Sequence, residues 1–314
     1  MKISIVIPVY NGARTIRPLV EELFKDLSGY GLEIVMVNDG SPDNSHDACF
    51  DILKKYKKGI TYLRLAKNFG EHNAVLAGLN HVSGDYAVII DDDFQNPPSE
   101  IKKLVDTAIE GKYDVVYSYY AQKRHSWFRN IGSRFNDRIA NYLLDKPHDL
   151  YLSSFKCMNK FTVDEIVKYK GPYPYIDGLI LRTTRNIGRA QVQHDARQEG
   201  RSGYNLRKLV RLWLNMFVNF SVYPLRLSTF FGFLFSIFGG IASIFLIIDR
   251  LVHPDTPIGL TSIMVGILTF SGLQLIILGI MGEYIGKQFL AANQTPQYVI
   301  RNVYTEKAEG QGNA

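Results

Sequence analysis

Residues 86–98 read YAVIIDDDFQNPP. The apolar run Tyr86–Ile90 has the length and composition of a buried strand, and it leads directly into three consecutive carboxylates, Asp91, Asp92 and Asp93. Carboxylates this close repel one another, so a buried strand that ends on three of them calls for a compensating positive charge. Side chains two apart on a strand share a face, which predicts that Asp91 and Asp93 point together and Asp92 points away.

Working outward, similar runs recur at Ile3–Val9, Glu33–Asn38, Ile60–Leu65 and Val115–Tyr119. The segments between them, Thr15–Leu27, Ser45–Tyr56, His72–His81 and Ser99–Glu110, have helical periodicity. Strands alternating with helices of this length predict an α/β domain with a mostly parallel sheet covered by helices on both faces. Ligands of such sheets bind beyond the carboxyl ends of the strands. Four strand ends are therefore of interest: Pro8-Val9-Tyr10-Asn11, Asn38-Asp39-Gly40-Ser41, Lys67-Asn68-Phe69-Gly70 and the triple aspartate. Neither GxGxxG nor GxxxxGK[ST] is present, which argues against a dinucleotide site and a P-loop.

The far end of the chain has a different character. Leu227–Ile248 and Ile258–Gly282 contain no charged residue, and at about 1.5 Å per residue each reaches roughly 33 Å or more, enough to cross a bilayer core of about 30 Å. Two spans in succession predict a membrane hairpin, with a core hairpin of a soluble domain as the alternative. The net charge of +6 is partly local, because Gly200–Ile248 holds five cations and no Asp or Glu. The positive-inside rule then predicts both termini and the large domain on the cytoplasmic side of an inner (cytoplasmic) membrane. Tyr204–Ser221 sets Leu206, Leu209, Val210, Trp213, Phe217 and Phe220 at helical spacing opposite Arg207, Lys208 and Arg211, as in an interfacial amphipathic helix.

The expected organisation is a catalytic domain over residues 1–203, a juxtamembrane helix over 204–226, two transmembrane helices over 227–282 and a cytoplasmic tail over 283–314. Cys49 and Cys157 have no metal-ligand spacing and are expected to be reduced thiols.

The ordered series VIPVYN, VNDGS, NFGEHNAVLAGL, DDDFQNPP and the R-x-x-G-x-S-x-Y of Arg197, Gly200, Ser202 and Tyr204 resembles glycosyltransferase family 2. The likeness is to its polyisoprenyl-phosphate branch, the dolichol-phosphate mannose synthase and bactoprenol glucosyltransferase type, and it runs from Ile3 to about Arg301. It implies a GT-A fold and an inverting transfer from a nucleotide-sugar donor to a polyprenyl (undecaprenyl) phosphate, dependent on Mg2+ or Mn2+. By the same resemblance Pro8, Tyr10, Asn11 and Asp39 line the nucleotide pocket. Asp91, Asp93 and Gln95 handle metal and diphosphate, and Arg197, Ser202 and Tyr204 lie on a loop that closes over the diphosphate. Arg201 stands beside them and is included for its charge.

Two departures from the family pattern matter. Ser153-Ser154-Phe155-Lys156-Cys157 stands where G-D-F-R-L is frequent, leaving Lys156 as a catalytic cation and no carboxylate at residue 154. Ser118-Tyr119-Tyr120 replaces a frequent S-R-Y, so a lipid phosphate is expected to meet Arg124, Arg129 or Arg134, of which Arg129 fits the family spacing best. His72, His125 and His194 have no companions at ligand spacing and read as ordinary histidines, while Tyr173, Tyr175 and Asp177 are candidate contacts to the donor sugar. Related enzymes are tetramers, which implies a homo-oligomer, with Gln294–Tyr304 docking on a neighbouring subunit. Direct transfer to a lipid or glycan hydroxyl, and a catalytically inactive binding module, remain alternative readings.

Overall fold

Each of the five short apolar runs named above becomes a strand. The computed structural model describes residues 1–56, 58–120, 150–193, 223–253 and 259–305. β1 (Lys2–Val9), α1 (Ile16–Asp26), β2 (Gly31–Asn38), α2 (Ser45–Tyr56) and β3 (Ile60–Leu65) come first. They are followed by α3 (Glu71–Leu79), β4 (Tyr86–Ile89), α4 (Glu100–Glu110) and β5 (Val115–Tyr119). After residue 150 come β6 (Lys156–Asn159), α5 (Lys160–Ile166), α6 (Ile176–Thr183) and β7 (Ile187–Gln191), then α7 (Tyr223–Val252), α8 (Leu260–Ala292) and β8 (Ile300–Thr305).

The strands form one eight-stranded sheet in the order β7-β5-β6-β4-β1-β2-β3-β8. β6 runs antiparallel to both of its neighbours and β8 antiparallel to β3, while the other pairings are parallel. Strand alternation divides the core. Ile3, Ile5, Ile7, Ile34 and Met36 pack with α1, α2 and α4 residues such as Leu19, Leu23, Ile52 and Leu104. Val35, Val37, Leu63 and Leu65 pack on the other face with Ala74 and Ala77 of α3. Both cysteines are free and buried, and burial raises their thiol pKa values.

Two sequence expectations change here. β4 stops at Ile89, so strand alternation does not reach the aspartates, and Asp92 and Asp93 lie in a turn. That turn is pinned by Phe94, which adopts a left-handed backbone (φ 58°) while its ring is buried in the core. The C-terminal segment expected to dock on a neighbour instead pairs with its own chain. β8 extends the sheet beyond β3, and Tyr304 stacks on Tyr62 with ring centroids 5.4 Å apart.

The chain divides into two units, Met1–Tyr204 with Gln294–Ala314, and Asn205–Asn293. The second contains α7 and α8, of 30 and 33 residues, both long and apolar enough to cross a membrane. Side chains such as Phe233 (68% exposed) and Leu275 (69% exposed) face outward, which speaks against a buried hairpin. α8 continues past Gly282 to Ala292. The amphipathic segment Tyr204–Ser221 lies outside the described residues.

Candidate active site

The site is assembled at the carboxyl ends of β1, β2 and β4. After β1 the chain turns through Asn11 in a left-handed conformation (φ 58°), and the backbone N–H groups of this turn bond to the loop after β2 and the start of α2. Asn11 N donates to Ser41 Oγ (3.2 Å), Gly12 N to Ser45 Oγ (3.0 Å) and Ala13 N to Asp43 Oδ2 (3.2 Å). Ser41 in turn donates its backbone N–H to Asn38 Oδ1 at 2.9 Å, and Asn38 Nδ2 donates to Tyr62 Oη at 3.2 Å. The two loops therefore hold each other, leaving Tyr10 half exposed (49%) above them.

Asp39 is buried and accepts the backbone N–H groups of Phe69 (2.7 Å) and Gly70 (2.9 Å), which precede α3. Burial raises its carboxyl pKa, and these two bonds work against that shift. Gly40 makes the close approach possible. Its φ is +62°, and a Cβ there would lie 2.4 Å from the carbonyl carbon of Lys67. Asp39 thus fixes the entry to α3 through both carboxylate oxygens.

The triple aspartate divides by partner. Asp91 accepts a hydrogen bond from Ser154 Oγ at 2.6 Å, and Asp93 accepts the backbone N–H of Gln95 at 3.2 Å. Asp92 packs against the β1 loop, where a Cβ on Gly12 would stand 2.0 Å from Asp92 Oδ2. This seats Asp92, which the sequence left without a role, against the β1 turn.

On the other side of the aspartates, β6 and α6 contribute a buried ion pair. Lys156 is in register with Ile89 of β4 and Tyr117 of β5, and its Nζ bonds Asp177 Oδ1. Tyr117 Oη donates to the same oxygen at 2.8 Å, and Lys156 Nζ lies 5.0 Å from the Tyr117 ring centroid. Both charged residues are nearly inaccessible, at 3% and 7% exposure. Lys156, expected to act as a catalytic cation, is therefore engaged with Asp177, and Asp177 is not an exposed contact for a sugar. The cause is the β6 register, which aims Lys156 into the interior.

Glu71 and His72, at the start of α3, complete the group. The Glu71 carboxyl is pushed up to about 7, first by the surrounding protein, then by Asp91, with Asp177 and Asp93 adding and Lys156 opposing. His72 is held neutral, its pKa pushed down to about 4 by burial, and its ring meets Tyr175 edge-on with centroids 5.0 Å apart. No role was assigned to Glu71 from the sequence, although it lies inside the NFGEHN motif. Its signal is its position immediately after the Asp39-bonded turn.

This electrostatic balance is the test of a divalent ion. Burial, with the charges of Asp91, Asp177 and Asp93 adding to it, raises the Glu71 pKa to about 7, so the site favours added positive charge, and all-oxygen donors suit Mg2+ or Mn2+. Among the described residues no three His, Cys, Asp or Glu side chains converge to hold an ion. An ion bound at Asp91, Asp93 and Gln95 would complete its shell with ligand oxygens and water. Arg129, Arg197, Arg201, Ser202 and Tyr204 lie outside the described residues, as do Arg124, Arg134, His125 and His194.

Residues 4–166, which hold these strand ends, match the family model for glycosyl transferase family 2. The chain belongs to glycosyl transferase family 2. Relatives of this family 2 enzyme cover nearly its whole length. It is 31% identical over 306 residues to the undecaprenyl-phosphate 4-deoxy-4-formamido-L-arabinose transferase of Enterobacter sp. (strain 638), covering 96% of this chain and 93% of that protein. It is 32% identical over 315 residues to the protein of the same name from Serratia proteamaculans (strain 568), covering 98% and 95%. Among solved structures, the glucosyl-3-phosphoglycerate synthase of Mycobacterium tuberculosis in complex with Mn2+, uridine diphosphate and phosphoglyceric acid superposes with a TM-score of 0.52 at 18% identity. That match covers 69% of this chain and 76% of the other. The likeness shows the fold, a GT-A-like α/β domain in this family 2 chain, with two apolar helices added.

Proposed function

We propose that this glycosyltransferase moves a sugar from a nucleotide-sugar donor to undecaprenyl phosphate at the cytoplasmic face of the inner membrane, with inversion at the anomeric carbon. The observation that carries the reading is the pairing of an acidic strand-end site with two exposed apolar helices. Relatives named as undecaprenyl-phosphate transferases, matched over 96% and 98% of the chain, support the acceptor. In the proposed displacement a phosphate oxygen of the lipid attacks the anomeric carbon, and the bond from that carbon to the donor diphosphate breaks. A phosphomonoester is already ionised near neutral pH, so its attack needs no general base. That agrees with a serine at residue 154.

In this reading Asp91, Asp93 and Gln95 hold Mg2+ or Mn2+, which supplies positive charge to the departing diphosphate when bound. Pro8, Tyr10, Asn11 and Asp39 frame the nucleotide, and Arg197, Arg201, Ser202 and Tyr204 close over its diphosphate. Arg129 receives the lipid phosphate. Two spans per chain offer little lateral packing surface, which supports a homo-oligomer. The test incubates purified protein in detergent with undecaprenyl phosphate, Mn2+ or Mg2+ and a panel of nucleotide sugars, and reads the lipid product by mass spectrometry. A glycosylated undecaprenyl phosphate is expected from wild type and none from Asp93→Ala. Absence of that product from wild type with every donor overturns the proposal.

A further inference from the structure

The segment that follows α8 touches both walls of the site. Gln297 Nε2 donates to two backbone carbonyls, Tyr169 O at 3.0 Å and Gly171 O at 2.7 Å. Tyr169 Oη closes the same turn on Pro172 O at 3.0 Å. The chain then continues through Pro172, Tyr173 in a left-handed conformation (φ 53°) and Pro174 to Tyr175, the residue that caps α6. Prolines on both sides of Tyr173 make this a stiff connection, so the position of the Tyr169–Gly171 turn sets that of Tyr175 and Asp177. Those two residues face His72 and Lys156.

The same segment also holds the opposite wall. Tyr298 and Ile300 pack with Phe69 against the Val35, Val37, Leu63 and Leu65 cluster. Val299 O accepts the backbone N–H of Ala66 at 2.8 Å. Ala66 leads through Phe69 and Gly70, whose N–H groups Asp39 holds, into Glu71 and His72. The two walls meet at the His72–Tyr175 contact.

We propose that Gln294–Ile300 is a strap that positions the two walls of the active site against each other, with Gln297 as its positioning residue. Gln297 touches no reacting atom. It acts through the Tyr169–Gly171 turn on Tyr175 and Asp177, so its loss misplaces the wall beside the reacting sugar and leaves the β1–β2 loops intact. The catalytic part of this inference rests on the proposed transfer reaction, and the structural part does not.

The experiment compares full-length wild type with Gln297→Ala, Gln297→Glu and Gln297→Lys in detergent. Hydrogen exchange at Leu179–Leu181, where Leu179 N–H bonds Tyr175 O at 3.0 Å, is expected to quicken at least about tenfold in the Ala and Glu variants, because a glutamate cannot donate to two carbonyls. It is expected to return toward wild type in the Lys variant, whose ammonium can donate. Unchanged exchange in Gln297→Ala overturns the proposal whatever the reaction proves to be. In the transfer assay, kcat is expected to fall about tenfold or more in the Ala and Glu variants, with recovery in Lys, while UDP binding in the presence of Mn2+ stays unchanged. Equal loss of kcat, UDP affinity and thermal stability in all three variants would show a general folding role and also overturn it. A wild type that shows the strap in exchange but makes no lipid product overturns the proposed function alone.

Discussion

Ser154 Oγ donates to Asp91 Oδ2 over 2.6 Å, joining residues 63 positions apart in the chain. The bond connects the segment leading into β6 to the first of the three aspartates, and it explains how a serine serves at that position. A hydroxyl steadies the carboxylate without adding a further negative charge to a group that already repels itself.

Removing that hydroxyl is expected to loosen Asp91. Hydrogen bonds to charged groups contribute about 1.5–3 kcal/mol, so Ser154→Ala is expected to lower kcat/KM by about tenfold to a hundredfold without unfolding the protein. Ser154→Asp is expected to do worse, because it sets a second carboxylate against Asp91. Steady-state kinetics over a Mn2+ titration checks both, and wild-type kinetics in Ser154→Asp would contradict the assignment.

The Lys156–Asp177 pair predicts a stability effect. Removing one member of a buried pair leaves an uncompensated charge and costs about 3–5 kcal/mol, the loss expected for Lys156→Met. The double variant Lys156→Met with Asp177→Leu is expected to recover a large part of it, since the two charges are removed together. Denaturant melts of the four proteins of the cycle measure the coupling.

Asp92 is tested through Gly12. A methyl group at residue 12 would collide with Asp92 Oδ2, 2.0 Å away, and would crowd Val9 Cγ1 at 3.1 Å. Gly12→Ala is expected to cost about 1–3 kcal/mol through overpacking. In the Asp92→Ala background the same change is expected to cost less, and additive losses would show that the two residues do not meet.

Glu71 predicts a pH dependence. Its folded pKa is raised to about 7 from an ordinary value of 4.5, so the native state binds the proton more tightly than the unfolded chain. Its contribution to stability is therefore fully present below pH 4.5 and is lost as pH rises through about 7. Glu71→Gln is expected to melt higher than wild type at pH 8 in EDTA, with the advantage gone near pH 4.5. His72 acts in the opposite sense, since its pKa falls from 6.5 to about 4 and stability is lost as pH falls through that window. The two proteins must therefore be compared at each pH. A divalent ion is expected to narrow the gap at pH 8 by supplying the charge that the site lacks.

Much of the architecture could be read from the residues, because strands and helices record their periodicity locally. All five strands expected from apolar runs are present, Ile60–Leu65 and Val115–Tyr119 with the expected limits; the first charge-free run lies in α7 and residues 260–282 of the second lie in α8. The clustering of functional residues at strand ends followed from the same reading, since it depends only on where strands stop. Glu71 was not recognised, because its character comes first from burial and then from Asp91, Asp177 and Asp93, which lie far from it in sequence.

The sequence by itself determined the alternating α/β pattern, the triple aspartate at the end of a strand and the apolar runs of membrane-spanning length. Tertiary structure alone decided that Asp92 meets Gly12, that Ser154 steadies Asp91, that Lys156 is engaged with Asp177 and that β8 returns to β3 of its own chain. The reason is physical. Periodicity and charge are properties of neighbours in the chain, whereas these contacts depend on strand order and register, which are set by how distant segments share one sheet.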